Sequence, residues 1–138
     1  LDFDITGTSM IDKFSDLKKK NIIPVYCSLE KVKENINKYS NNDLSKIIFV
    51  KGKVEDTLDI ERNIPSQISL LRLDTDFHDS VKKSLEILYP KLISGGVLII
   101  DDYGHFKGAK LAVDNYFKDK QKIWMHRVDY TCRLIIKP

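Results

Sequence analysis

The sequence predicts an α/β fold organised on a mostly parallel sheet, and three observations between Ile68 and Asp102 carry that expectation. Ile68 to Leu73 is apolar except for Ser69 and Arg72, and is short enough for a buried strand. Val81, Leu85, Leu88 and Leu92 then recur at helical spacing until Gly95-Gly96 ends the run. Val97 to Ile100 is a second buried strand that leads directly into Asp101-Asp102. A strand, a crossover helix and a strand make a right-handed parallel unit, so both strands end on the same edge of the sheet. Asp74 and Asp76 follow the first strand, and Asp101 and Asp102 follow the second. Carboxylates therefore gather at the carboxyl edge, where open α/β sheets place their ligands. Oxygen donors at that density suit a hard divalent cation, Mg2+ above all.

Length and composition bound the remaining possibilities. A chain of 138 residues is sized for one domain, residues 1–138, with 42% hydrophobic and 31% charged side chains. The net charge of +3 comes from scattered lysines, and the one run, Lys18-Lys19-Lys20, reads as a solvated helix end. No nucleic-acid partner is expected. No apolar run approaches the roughly 20 residues of a membrane span, so no membrane partner is expected either. Cys27 and Cys132 lack metal or redox spacing and read as reduced thiols in a cytoplasmic setting. A first residue of Leu1 rather than methionine points to a chain cut from something longer.

Taken in order, residues 1–8 read as a loop. Residues 9–20 follow as a short helix capped by Ser9, with Met10, Ile11, Phe14 and Leu17 on one face. Asn21 to Tyr26, with Pro24, reads as extended. Ser28 caps a clearer helix whose apolar positions are Leu29, Val32, Ile36 and Tyr39, with Glu34 and Lys38 as a supporting pair. Asn41-Asn42-Asp43 is a turn, Ile47 to Val50 a strand, and Val54 to Leu58 one helical turn. After Asp102, Gly104 and Gly108 bracket a loop, and Ala109, Ala112, Val113, Tyr116 and Phe117 give a helix ending near Lys120. Ile123 to Val128 and Cys132 to Ile136 are two last strands joined by a hairpin turn at Asp129-Tyr130-Thr131.

Each candidate site residue has a structural alternative. Asp74 could be a turn former. For Asp101-Asp102, adjacent carboxylates beside a third repel one another, and a cation turns that repulsion into ligation. Asp76 is either the cap of the helix beginning near Phe77 or a general base facing a substrate. His78 and His105 flank the cluster as candidate bases or surface residues, while His126 reads as structural. Trp124, Tyr116 and Phe117 read as core. Neither a dinucleotide fingerprint nor a Walker loop occurs in the sequence. A strand followed by D-x-D also fits metal-dependent glycosyltransferases and dehalogenase-type phosphatases. The phosphatase pattern places it near the start of the domain, whereas here it falls after the midpoint.

Together, LLRLDTDFHDS and LYPKLISGGVLIIDDYGHFKGAKLAVDNYF resemble the macrocin O-methyltransferase family, as do CSLEKVKENI, FVKGKVEDTL and RVDYTCRLIIKP. These are class I, S-adenosylmethionine-dependent, Mg2+-dependent enzymes that methylate sugar hydroxyls. The resemblance implies Asp74, Asp101 and Asp102 as metal ligands and Asp76 as base; His105, flanking the cluster, is the runner-up base on its own chemistry. It also implies that Gly52, Lys53, Val54 and Asp74 contact the cofactor, and that a sugar or polyol is the small-molecule substrate. The implied fold is the C-terminal part of a Rossmann-like domain of strand order 3-2-1-4-5-7-6, its last strand antiparallel and its first two strands missing. Ile47 to Val50 would then lack a sheet neighbour and Ile68 to Leu73 would present an open edge, so a homo-oligomer is expected. The alternatives are an inactive metal-binding fragment and a D-x-D glycosyltransferase.

Overall fold

The computed structural model describes residues 2–20, 27–39, 43–120 and 123–138. Its elements are α1 (Met10–Lys19), α2 (Leu29–Tyr39), the single turn α3 (Val54–Thr57), β1 (Ile68–Leu73), α4 (His78–Leu88), β2 (Leu92–Ile100), α5 (Lys107–Phe117), β3 (His126–Arg127) and β4 (Arg133–Ile136). The strands form a four-stranded sheet in the order β1-β2-β4-β3. β1 and β2 are parallel, and β4 runs antiparallel to both β2 and β3. That is the expected 4-5-7-6 half of the class I order, with the last strand reversed.

Register decides which residues meet. Leu71, Leu98 and Ile135 form one row across the sheet, and Leu73 and Ile100 pair in the next. This face lies under α4 and α5, where Val81, Leu85, Ala109, Ala112 and Val113 complete the core. A fully buried Leu or Ile contributes roughly 1.5–3 kcal/mol, and Leu85, Leu98 and Ile135 are all 0% exposed. Tyr116 and Phe117 pack edge-on against Tyr89 beside this core, as expected. Side chains alternate along a strand, so the opposite face carries the rows Leu70–Val97–Ile136 and Arg72–Ile99–Leu134. That face is open, with Leu70 60% and Ile136 54% exposed.

Several expectations change on contact with the structure. Ile47 to Val50 forms no strand; it pairs with no described strand, as the missing first two strands anticipate, and Ile48 is 89% exposed. Its β-branched composition favours a strand, but an extended segment needs a neighbouring ladder to become one. Gly95-Gly96 does not end a helix. Polypeptide leaves α4 at Leu88, turns through Tyr89–Lys91, and enters β2 at Leu92. The register jumps from Ile68↔Leu92 to Leu70↔Val97, so the glycines sit in a bulge of the strand. Glu34 bonds Lys31, at 2.9 Å, in place of the expected Lys38 pairing. Ile11 is exposed, and so is Trp124, which belongs to no core. His126 is likewise exposed in β3, its ring meeting Trp124 Nε1 at 3.3 Å. The strand expected over Ile123 to Val128 contracts to His126–Arg127, and Arg133 opens β4. Ser9 and Ser28 cap α1 and α2 as anticipated, accepting from the amides of Asp12 and Lys31. The expectations for Asn21 to Tyr26 and for Asn41-Asn42 lie outside the described residues.

Candidate active site

Leu73 and Ile100 are register partners, and the Asp101 amide donates to the Leu73 carbonyl at 3.0 Å. The strands therefore end together, and the residues that follow are forced into one another's company. Period-two alternation places Arg72 and Asp74 on one side of β1, and Ile99 and Asp101 on the same side of β2. Arg72 consequently bridges two acids, meeting Asp74 Oδ2 at 2.9 Å and Asp101 Oδ1 at 3.2 Å. The hydrogen bond to Asp101, then the charges of Asp74 and Asp101, hold the guanidinium above its usual pKa.

Asp102 points elsewhere. Carboxylate oxygens of Asp74, Asp76 and Asp102 all lie within 4.8 Å of one another. Among the described residues, Asp102 Oδ2 is buried with no hydrogen-bond partner, as is Thr75 Oγ1 in the loop between the other two acids. Burial, then the neighbouring Asp76 carboxyl and the charges of Asp101 and Asp74, push the Asp102 carboxyl up to about 7. Burial also raises Asp74, followed by the charge of Asp101, while Arg72 pulls the other way. The ion pair with Arg72 thus offsets only part of the crowding.

Asp76 has φ +61°, a left-handed conformation that Asp adopts more readily than most residues. It is not the cap of α4: Phe77 occupies the N-cap position with extended geometry and no side-chain cap bond. Of the two readings of Asp76, the structure removes the cap and leaves the acid aimed into the cluster. His105 follows Asp102 on the same loop, its amide donating to the Asp102 carbonyl at 3.0 Å. Its imidazole stacks edge-on with Phe106 and meets the Tyr130 hydroxyl at 3.3 Å. His78 bonds Asp79 at 2.8 Å in the first turn of α4.

The loop holding Asp102 and His105 is seated by close approach to the β3–β4 turn. A Cβ at Gly104 would lie 1.7 Å from the Tyr130 carbonyl oxygen, so only glycine lets the Gly104 amide reach Thr131 O at 2.9 Å. Asp129 shapes that turn by accepting from the amides of Thr131 and Cys132. On the other side of β1, Gly52 and Val54 line a groove of about 350 Å³ with Val50, Leu58, Leu70 and Arg72. Lys53 stands beside them as the residue preceding α3.

The structure thus brings Asp74, Asp76 and Asp102 together and gives Asp101 to Arg72, whereas the resemblance had grouped Asp74, Asp101 and Asp102. Arg72 was missed as a site residue. Its signal was present, since a charge two positions before Asp74 on a buried strand shares that residue's face.

This half-sheet, with a carboxylate cluster at the carboxyl edge and an apolar groove beside β1, is that of a partial Rossmann-like methyltransferase domain. The chain belongs to the Macrocin-O-methyltransferase (TylF) family, which matches residues 6–136. It is 33% identical over 105 residues to the demethyldecarbamoylnovobiocin O-methyltransferase of Streptomyces niveus, covering 76% of this chain and 38% of that protein. It is 38% identical over 89 residues to the 8-demethyl-8-(2,3-dimethoxy-alpha-L-rhamnosyl)-tetracenomycin-C 4'-O-methyltransferase of Streptomyces olivaceus, covering 64% of this chain and 32% of that one. Its structure resembles that of the O-methyltransferase NovP with a TM-score of 0.77 and 29% identity, over 94% of this chain and 52% of NovP. The chain therefore spans about a third of the length of the curated relatives it matches and about half of NovP. No helix among the described residues is long and apolar enough to cross a membrane.

Proposed function

We propose that the protein carrying this domain is an S-adenosylmethionine-dependent, Mg2+-dependent O-methyltransferase acting on a hydroxyl of a sugar or polyol-containing small molecule. The observation that carries the reading is the trio of carboxylate oxygens within 4.8 Å, with Asp102 Oδ2 buried and unpartnered among the described residues. Hard, anionic oxygen donors that repel one another fit a divalent cation, and Asp74 and Asp102 would hold it. The groove lined by Gly52 and Val54, with Val50, Leu58 and Leu70 beside them, offers apolar surface for an adenine ring. One relative carries a rhamnosyl group in its name, which supports a glycosylated acceptor.

Held at these places, S-adenosylmethionine would supply an electrophilic sulfonium methyl for the hydroxyl oxygen, and Mg2+ would supply positive charge that favours an ionised hydroxyl. Asp76 accepts the hydroxyl proton on a carboxylate oxygen. Its backbone holds that acid toward Asp74 and Asp102 without a rotamer search. Arg72 pins Asp74 and Asp101 in place through its two ion pairs. Positioning and electrostatics then carry most of the rate enhancement, since the protein forms no covalent bond. Methyl transfer from labelled S-adenosylmethionine to a glycosylated acceptor is expected from the protein carrying this domain, to be lost in chelator, and to return with Mg2+. Full turnover in chelator would remove the metal from this reading.

The 138-residue chain by itself is further proposed to associate with copies of itself through the row Leu70–Val97–Ile136. An exposed apolar sheet face of this kind invites pairing. Sedimentation is expected to show concentration-dependent dimers that Leu70→Lys disrupts. A monomer at all concentrations contradicts this.

A further inference from the structure

The N-terminal segment lies far from the acidic loops in sequence yet touches both of them. The Asp2 carboxylate Oδ1 accepts from the His78 amide at 2.9 Å, across 76 positions of sequence. His78 opens α4, whose N-cap, Phe77, has no side-chain oxygen to offer the free amides of the first turn. Asp2 therefore supplies from a distance the cap that the local sequence lacks, and its charge suits the positive end of the helix.

Asp2 is itself fixed. Its carbonyl accepts from Met10 at 2.9 Å, and Met10 is 5% exposed. Phe3 accepts from the Lys107 amide at 2.9 Å, and Asp4 bridges Phe106, just beyond the loop that carries Asp101 and Asp102. Asp4, 6% exposed, ties this short arm into a closed turn by accepting from the amides of Thr6 and Thr8. One arm thus grips the start of α4 and the start of α5, the two helices that begin where the two acidic loops end.

We propose that Asp2 is a positioning residue for the carboxylate cluster, holding the Asp74–Phe77 loop in the one conformation that directs Asp76 at Asp74 and Asp102. Two features make that loop depend on an outside anchor. Asp76 sits in the left-handed region, and the Phe77 amide folds back onto the Thr75 carbonyl at 2.6 Å. Without the Asp2 cap, the first turn of α4 frays and the Asp74–Phe77 loop relaxes, which draws the Asp74 carboxylate, a ligand in the metal reading, away from Asp102 along with Asp76. The inference rests on the metal reading above for its consequence, though not for its geometry.

The test compares Asp2→Ala with Asp2→Asn, whose amide oxygen can accept the same hydrogen bond. Two quantities are measured in the protein carrying this domain, amide exchange at His78 and Mg2+ affinity by calorimetry. Asp2→Ala is expected to speed exchange at His78 about fivefold. It is also expected to weaken Mg2+ about tenfold, as loss of a residue supporting metal ligands does. Asp2→Asn restores both. Unchanged exchange at His78 in Asp2→Ala overturns the cap, and faster exchange with unchanged Mg2+ affinity overturns the positioning role. Should the unsubstituted protein bind no Mg2+, the metal reading fails and positioning of the cluster for a metal fails with it. The cap is still decided by exchange alone.

Discussion

Asp102→Asn is expected to weaken Mg2+ binding on the order of 10²-fold, because divalent affinity follows the charge and number of oxygen ligands. Asp101→Asn should lose less, since Asp101 already faces Arg72 at 3.2 Å. Asp79→Asn, in the first turn of α4 and bonded to His78, should lose nothing. Calorimetric titration orders the three. Equal losses for Asp101→Asn and Asp102→Asn would show that the ion takes the donor set implied by the family resemblance. The same substitution carries a pH signature without metal. The Asp102 carboxyl is raised from 3.8 to about 7 by burial and its acidic neighbours. A raised folded-state pKa contributes stability that is complete below 3.8 and is lost as pH rises through about 7. The metal-free protein should therefore lose stability between those limits, and Asp102→Asn should show a shallower loss. Mg2+, which needs the ionised carboxylates, should bind more tightly across the same rise in pH. Parallel melting curves for both proteins from acid to neutral pH would remove Asp102 as the source.

The central unit was legible in the sequence because its signals were redundant. Ile68 to Leu73 and Val97 to Ile100 are apolar runs of strand length, and helical spacing between them leaves one right-handed arrangement. The acids at the strand ends followed from that topology. Which of them share a face did not. Asp101 and Asp102 are adjacent in sequence, and only the pleat, with Arg72 on one face, sends them apart. Ile47 to Val50 misled for a related reason. Strand propensity describes how a segment fits a sheet that is already there, and beside these residues no described strand exists. Gly95-Gly96 reads equally well as a helix stop or a bulge, and the Leu92 contact with Ile68 decided it. The Asp2–His78 bond spans 76 positions, and no local pattern announces it.

Asp76→Asn is the substitution with the largest expected effect on turnover. If this carboxylate takes the hydroxyl proton, kcat in the intact enzyme should fall by ~10²–10⁴-fold. The φ of +61° makes asparagine the right probe, because Asn tolerates the left-handed region as Asp does and leaves the loop in place. Asp76→Ala would mix two effects, the lost base and the strain of a side chain poorly suited to that backbone. Asp76→Gly separates them, since glycine relieves the strain and still lacks the carboxylate. Asn and Gly variants that are equally slow, with Mg2+ affinity within a few-fold of the parent, assign the proton to Asp76. His105→Gln provides the contrast. Its imidazole is engaged with Phe106 and the Tyr130 hydroxyl, so it should cost far less than Asp76→Asn. Near-normal turnover in Asp76→Asn together with a collapse in His105→Gln would transfer the role to the histidine, and would require its ring to leave Tyr130 before the hydroxyl proton could be taken.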